Sequence, residues 1–399
     1  MEKTKGSKKI WGWIAVFSAF VAIGLHGYLT TEFYQLKLGV GDGKSICNLG
    51  AALNCEVVAV SPYAAFLSIP MALWGLWTNA LFALIALGGL LGISTPRRSS
   101  RLALVFATVI FAASVVMSII SATKLGTYCL FCIGAYATSI FVFAGSLLWA
   151  KDQEGSIGEG LREVAAGSKS FLGFFIAIPA LAFISNRAVM DSYGAGQMGI
   201  IIQESLNDWS SSPAQEFDPT KGLTFQASTE EPKVTIVEFV DLLCPHCKAA
   251  TPSIHAFSES RKDVRLIVKI FPLDGTCNPD TRMKAGDGLR CQWSYAVFCA
   301  EKLAKKGWEA LDWVFESQAN LFGAPFDPLF EKLTQSLQVS AEEMKTCIGQ
   351  SDTHDLITAM AGEGSKGEIR GTPAIFVNGK RADRGQFLPV LEAIYQKAK

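Results

Sequence analysis

The sequence predicts two unlike halves: an α-helical transmembrane bundle, then a soluble α/β domain carrying a helical insertion. Three observations predict this. Half of the 399 residues are hydrophobic and mean hydropathy is +0.28, with the apolar excess concentrated in residues 10–185. From Pro232 the pattern changes to short β-branched runs alternating with helical stretches. Six of the ten cysteines form three close pairs: Cys47 with Cys55 and Cys129 with Cys132 beside apolar segments, and Cys244 with Cys247 in the tail. Net charge is zero, so nothing in the composition favours nucleic acid as a partner.

The hydrocarbon core of a bilayer requires ~20 apolar residues per helix. Five segments qualify or nearly do: Ile10–Thr30, Ser68–Ile93, Leu102–Ala122, Tyr128–Ala150 and a shorter one, Phe171–Ser185, cut off by Asn186 and Arg187. The first follows Lys3, Lys5, Lys8 and Lys9. Its apolar run exceeds the ~7–15 residues of a signal-peptide core, and no clean cleavage site follows, so it reads as an uncleaved anchor. Basic residues in short loops mark the cytoplasmic side. An inside N-terminus puts those lysines, Arg97, Arg98, Arg101, Lys151, Arg162 and Lys169 in the cytoplasm. It leaves Lys37, Lys44 and Lys124 in the outer loops, with Arg187 at the outer end of the fifth span. Five spans then place the tail and all ten cysteines on the outer face, where disulfides persist. The expected location is the inner (cytoplasmic) membrane, multi-pass, with the C-terminal domain periplasmic or otherwise extracytoplasmic. The expected division is 1–150 for the membrane domain, 151–231 for a cytoplasmic loop, fifth span and linker, and 232–399 for the soluble domain.

In the tail, Lys233–Val240 reads as a buried strand, Cys244-Pro245-His246-Cys247 as the opening of a helix reaching about Ser260, and Val264–Phe271 as a second strand. A long helical region covers 290–364. Ala374–Val377 is a third strand, turning at Asn378-Gly379, and a last helix covers Gln386–Ala398. A C-x-x-C between a strand and a helix puts its first sulfur at a helix N-terminus, where free N–H groups and the dipole favour a thiolate. Pro245 suits the first turn, and His246 adds a donor or partial positive charge. Such a pair should be a strong oxidant. The competing reading, half a zinc site, lacks a second C-x-x-C or a His pair nearby in the tail. Cys277, Cys291, Cys299 and Cys347 allow three pairings. Cys277–Cys291, flanking a Gly-, Pro- and Asp-rich loop, and Cys299–Cys347, tying two helices of the insertion, are favoured as structural bridges.

Thr372-Pro373 immediately before a strand, well after a C-x-x-C, resembles the cis-proline loop of thioredoxin folds. With CPHC and the long helical insertion, residues 232–399 resemble the DsbA-like branch of that family. The resemblance implies that the loop packs beside Cys244–Cys247 and that the backbone at Thr372 binds an incoming peptide. In the membrane half, the loop pair Cys47 and Cys55, Ser61 after it, and Cys129-Leu130-Phe131-Cys132 with Tyr136 a turn beyond resemble the vitamin K epoxide reductase (VKOR) family over residues 10–150. That family surrounds a quinone pocket with four helices and includes bacterial members with a fused thioredoxin-like domain. Carried over, Cys129 and Cys132 are the active pair, Cys132 nearest the quinone. Cys47 and Cys55 shuttle electrons, and Ser61 and Tyr136 lie near the quinone ring. An asparagine that contacts the quinone in vertebrate relatives has no counterpart at Phe66–Pro70. His26, Glu32 and Asn79 read as helix-packing or interfacial groups.

Together these imply a membrane thiol oxidase that forms disulfides in reduced exported proteins. Electrons would run from Cys244/Cys247 through Cys47/Cys55 and Cys129/Cys132 to ubiquinone or menaquinone, with no metal. A quinone or quinone-epoxide reductase fuelled by thiols, a membrane metal-binding protein using paired cysteines, and a tethered binder with structural cysteines are the alternatives.

Overall fold

The computed structural model describes residues 7–38, 53–153, 168–192, 197–282 and 284–399, with 156 and 158. Cys47 lies outside the described residues. The chain divides into two compact units.

The first unit contains α1 (Ser7–Leu38) as far as Gln35, the short α2 (Cys55–Val60), a hairpin of β1 (Ala65–Phe66) and β2 (Ile69–Pro70), then α3 (Met71–Leu90), α4 (Pro96–Ile120), α5 (Leu130–Lys151) and α6 (Ser168–Ser192). Among the described residues, four helices are long and apolar enough to cross a membrane: Lys9–Leu38, Met71–Leu90, Pro96–Leu125 and Leu130–Lys151. The fifth expected segment falls in α6, which carries Pro179 inside it; several of its side chains lie outside the described residues. Pro96 opens α4, where a missing N–H costs nothing. A π-helical turn, Ser121–Leu125, then ends at Gly126 in the left-handed conformation. The core packs Phe82, Phe106 and Trp149 among Ala15, Ala19, Ala86, Ala103 and Ala107. Small residues let helix backbones approach closely, which is how helices associate when the solvent is lipid.

The second unit contains α7 (Met198–Ser211), β3 (Leu223–Gln226), β4 (Val234–Val240), α8 (Pro245–Glu259), β5 (Val264–Ile270), α9 (Leu289–Ala304), α10 (Gly307–Leu321), α11 (Phe326–Leu337), α12 (Ala341–Ile348), α13 (Ser351–Lys366), β6 (Ala374–Val377), β7 (Lys380–Arg381) and α14 (Leu388–Ala398). The sheet order is β3-β5-β4-β6-β7, with β4 and β5 parallel and the other pairs antiparallel. Parallel pairing requires a crossover, which α8 supplies. The helical region expected over 290–364 consists of five helices, α9–α13. The β6–β7 turn uses Asn378 and Gly379 at φ of 49° and 77°, the conformation that makes Asn-Gly a hairpin signal.

The segment read as linker is partly structured within this unit. Trp209 of α7 donates its indole N–H to Val377 O at 3.1 Å. Phe217 packs its ring against Phe239 and Phe376. These rings join Val237, Ile267 and Phe271 in the core under the sheet.

Candidate active sites

In the second unit β4 ends at Val240, and Asp241-Leu242-Leu243 turns the chain into α8. Cys244 is the N-cap of that helix, extended at φ −84° and ψ 119°, with Pro245 in the first turn. Cys244 is 8% exposed and Cys247 wholly buried. The hydrogen bond from the Cys247 thiol, reinforced by Thr372 and the first helix amides, brings Cys244 down to about 5. Burial, then the neighbouring Cys244, pushes Cys247 well up. One sulfur is therefore a nucleophile and good leaving group, while its partner stays protonated until a mixed disulfide forms. Thr372-Pro373 is a cis peptide, and the Cys244 thiol lies 3.4 Å from Thr372 O. His246 is exposed beside the pair.

The sequence reading missed the frame around this pair. The Asp241 N–H points at Cys247 Sγ, 3.5 Å away. Its carboxylate accepts the amides of Leu243 (2.8 Å) and Leu273 (2.7 Å) and pairs with Arg290. Gln318 of α10 donates to the carbonyls of Leu242 and Cys244, each at 3.0 Å. Below α8, Glu238 is wholly buried in β4 and accepts from Thr251 at 3.2 Å. Burial pushes its carboxyl up to about 8. An acidic residue in the middle of an apolar strand was the available signal. Disulfides join Cys277 to Cys291 and Cys299 to Cys347. The first bridge sits next to Arg290, and the second ties α9 to α12.

In the first unit, backbone contacts set the thiol geometry. The Asn54 amide donates to Tyr128 O at 2.9 Å, and the Asn54 side chain caps α2 through the Val57 amide at 3.1 Å. The start of α2 is thereby held beside the start of α5. Cys55 is disulfide-bonded, while Cys129 and Cys132 are free. Sγ of Cys55 and Sγ of Cys129 are 3.0 Å apart, about 1 Å beyond the ~2.05 Å of a formed disulfide. Cys129 caps α5, its sulfur accepting the Cys132 amide at 3.2 Å.

Beside these sulfurs lies a cavity of about 560 Å³, within the range of small-molecule sites. Cys55, Cys129, Cys132 and Tyr136 line it amid mostly apolar side chains. Ser61, expected near the ring, caps the end of α2 and donates to Val58 O at 2.8 Å. It is not among the lining residues. A serine ending a helix finds its hydrogen bond locally, which draws it off the wall. His26 and Asn79, read as packing groups, do line the cavity. Glu32 does not, and is buried in α1.

Fold and paired thiols together have the make-up of a thiol–disulfide oxidoreductase with a membrane half. Residues 13–147 match the vitamin K epoxide reductase family and residues 228–394 match a thioredoxin family, so the chain joins a VKOR-family domain to a thioredoxin-family domain. Among solved structures, it is similar to BdbD from Bacillus subtilis (17% identity, 47% of this chain and 97% of that one, TM-score 0.39). It is also similar to DsbA2 of Pseudomonas aeruginosa (21%, 44% and 96%, 0.34) and to alpha-DsbA1 of Wolbachia pipientis (17%, 46% and 94%, 0.36). Among curated proteins, a Na(+)/H(+) antiporter NhaA 3 of Salinispora tropica is 28% identical over 153 residues. The match takes in 38% of this chain, which spans about a fifth (21%) of that relative's length.

Proposed function

We propose that the chain is a membrane thiol oxidase that forms disulfides in exported proteins and passes the electrons to a membrane quinone. The observation that carries this reading is the 3.0 Å approach of Cys55 Sγ to Cys129 Sγ at the wall of an apolar cavity. In each exchange one sulfur–sulfur bond forms as another breaks. A substrate thiolate attacks the Cys244–Cys247 bond at Cys244, the less buried of the two sulfurs, and the second substrate thiol releases Cys244. The resulting dithiol reduces Cys47–Cys55, with Cys244 attacking Cys47. Cys55 then attacks Cys129 and displaces Cys132; Cys47 attacks Cys55 and displaces Cys129. A disulfide-bonded Cys55 beside free Cys129 and Cys132 is compatible with the state that follows this step. Cys129 and Cys132 re-form their bond, giving two electrons and two protons to ubiquinone or menaquinone and so making quinol.

The cavity suits such an acceptor: its walls match an apolar ring and tail, and Tyr136 supplies a donor. Tethering by the 186–232 segment raises the concentration of Cys244 near its membrane partner without any added affinity. An inner-membrane location with the tail outside follows from the charge pattern of the loops. His246, Thr372 and Pro373 are the proposed substrate-binding residues.

The test is quinone reduction by the full-length protein, driven by a reduced unfolded protein. Turnover should vanish in both Cys132→Ser and Cys244→Ser. Turnover surviving Cys244→Ser shows that electrons enter elsewhere. An inert wild type with an active tail refutes the oxidase reading.

A further inference from the structure

His26 lies on α1, on the wall of the cavity that also holds Cys129, Cys132 and Tyr136. Its ring is packed against the backbone of α3 at Gly75. A Cβ built at Gly75 would meet Cε1 at 2.4 Å, Nε2 at 2.5 Å and Nδ1 at 2.8 Å, so the imidazole occupies a slot that only glycine leaves open. Nδ1 is buried without a hydrogen-bond partner. One turn further along α3, Asn79 spends its amide N–H on Gly75 O at 2.9 Å, and its Oδ1 is also buried without a partner. Thr78, on the same wall, is occupied by Trp74 O at 2.7 Å. The polar atoms left over beside this apolar cavity therefore cluster where α1 meets α3.

Buried polar groups are almost always paired, and an orphan in a binding site is explained by the ligand that pairs it. A backbone cut back to glycine to seat a histidine, which then bonds to nothing, has the look of a ligand contact. Two carbonyl oxygens sit on opposite edges of a quinone ring, so recognition needs donors on two walls. Tyr136 on α5 supplies one.

Resting on the quinone reading above, we propose that His26 supplies the other: its imidazole donates a hydrogen bond to a carbonyl oxygen of the quinone, on the α1 side of the cavity. Gly75 is the residue that positions it. The bond fixes the ring's orientation in an otherwise apolar site. It also polarises the carbonyl that must accept charge as Cys129 and Cys132 close.

The experiment is equilibrium binding of a short-tail benzoquinone to the full-length protein, read by quenching of tryptophan fluorescence, since Trp74 lines the same cavity. Steady-state quinone reduction is measured alongside. His26→Leu should weaken binding about tenfold, equivalent to about 1.4 kcal/mol, and lower kcat/KM at least as much. His26→Gln retains an N–H donor and should recover most of the affinity. Gly75→Ala keeps the imidazole but displaces it, and should behave like His26→Leu. Binding within twofold of wild type in His26→Leu, or in Gly75→Ala should His26→Leu fail to fold, overturns the proposal. So does a His26→Gln variant no better than His26→Leu. A wild type that binds no quinone, while the tail still oxidises thiols, overturns the proposed function and this inference with it.

Discussion

At the scale of single residues, two buried acids on the tail domain shift in opposite directions. Cys244 falls to about 5 because its thiolate accepts hydrogen bonds, the Cys247 thiol's first. Its extra contribution to the reduced protein is therefore fully present above the ordinary thiol value of ~8.5 and lost as pH falls through about 5. Iodoacetamide alkylation of reduced Cys244 should rise with a midpoint near pH 5; a midpoint near ~8.5 would refute the assignment. Glu238 rises to about 8 because burial penalises its charge. The stability of its neutral form is fully present below ~4.3 and lost as pH rises toward about 8. The oxidised protein isolates this effect, since its active-site cysteines no longer titrate. Its Tm should decline between pH 5 and 8, and Glu238→Gln should flatten that decline. An unchanged slope in the variant would mean the carboxyl is ionised throughout.

At the scale of elements, the helical insertion acts as a clamp on the active-site turn. Gln318 reaches from α10 to two carbonyls of that turn, and Arg290 reaches from α9 to Asp241. The two disulfides brace the same insertion over different spans of chain. Cys299–Cys347 closes 48 residues and Cys277–Cys291 closes 14. On the chain-entropy account, removal costs roughly 4 kcal/mol for the longer loop and roughly 3 kcal/mol for the shorter. Urea unfolding of Cys299→Ala/Cys347→Ala and of Cys277→Ala/Cys291→Ala should show that order. The reverse order would indicate that the shorter bridge supports the active-site turn through Arg290 beyond its entropic effect.

At the scale of the whole molecule, the proposed relay requires exchange between the bonded Cys55 and the free Cys129, 3.0 Å apart in the membrane half. In full-length Cys132→Ser, Cys129 keeps its access to Cys55 but loses its resolving partner. A Cys55–Cys129 mixed disulfide should accumulate and appear on non-reducing peptide mapping. Its absence, with Cys47–Cys55 intact, would mean that the 3.0 Å approach is not an exchange geometry.

Four spanning helices, the α/β tail, the C-x-x-C at a helix start and the Asn-Gly turn were legible in the residues themselves, while the cis-proline loop was legible through the resemblance to thioredoxin folds. Each depends on local periodicity or on a residue type with one strong conformational preference. Strand β3 was not legible, because four residues of strand carry little periodicity; the amphipathic pattern at Met198–Trp209 was visible, but Trp209 and Phe217 declare their packing role only against Val377, Phe239 and Phe376. Asp241, Arg290 and Gln318 are spread over 77 positions of the chain and come together around the active-site turn only in the fold. The family resemblance implied that Ser61 lies near the ring, yet its hydroxyl is taken by Val58 O. His26 and Asn79 looked like packing. The sequence by itself determined most of the elements and which cysteines form close pairs, since those follow from short-range pattern. Tertiary structure alone decided which polar groups face the cavity, because burial and the absence of a partner are properties of the packed helices.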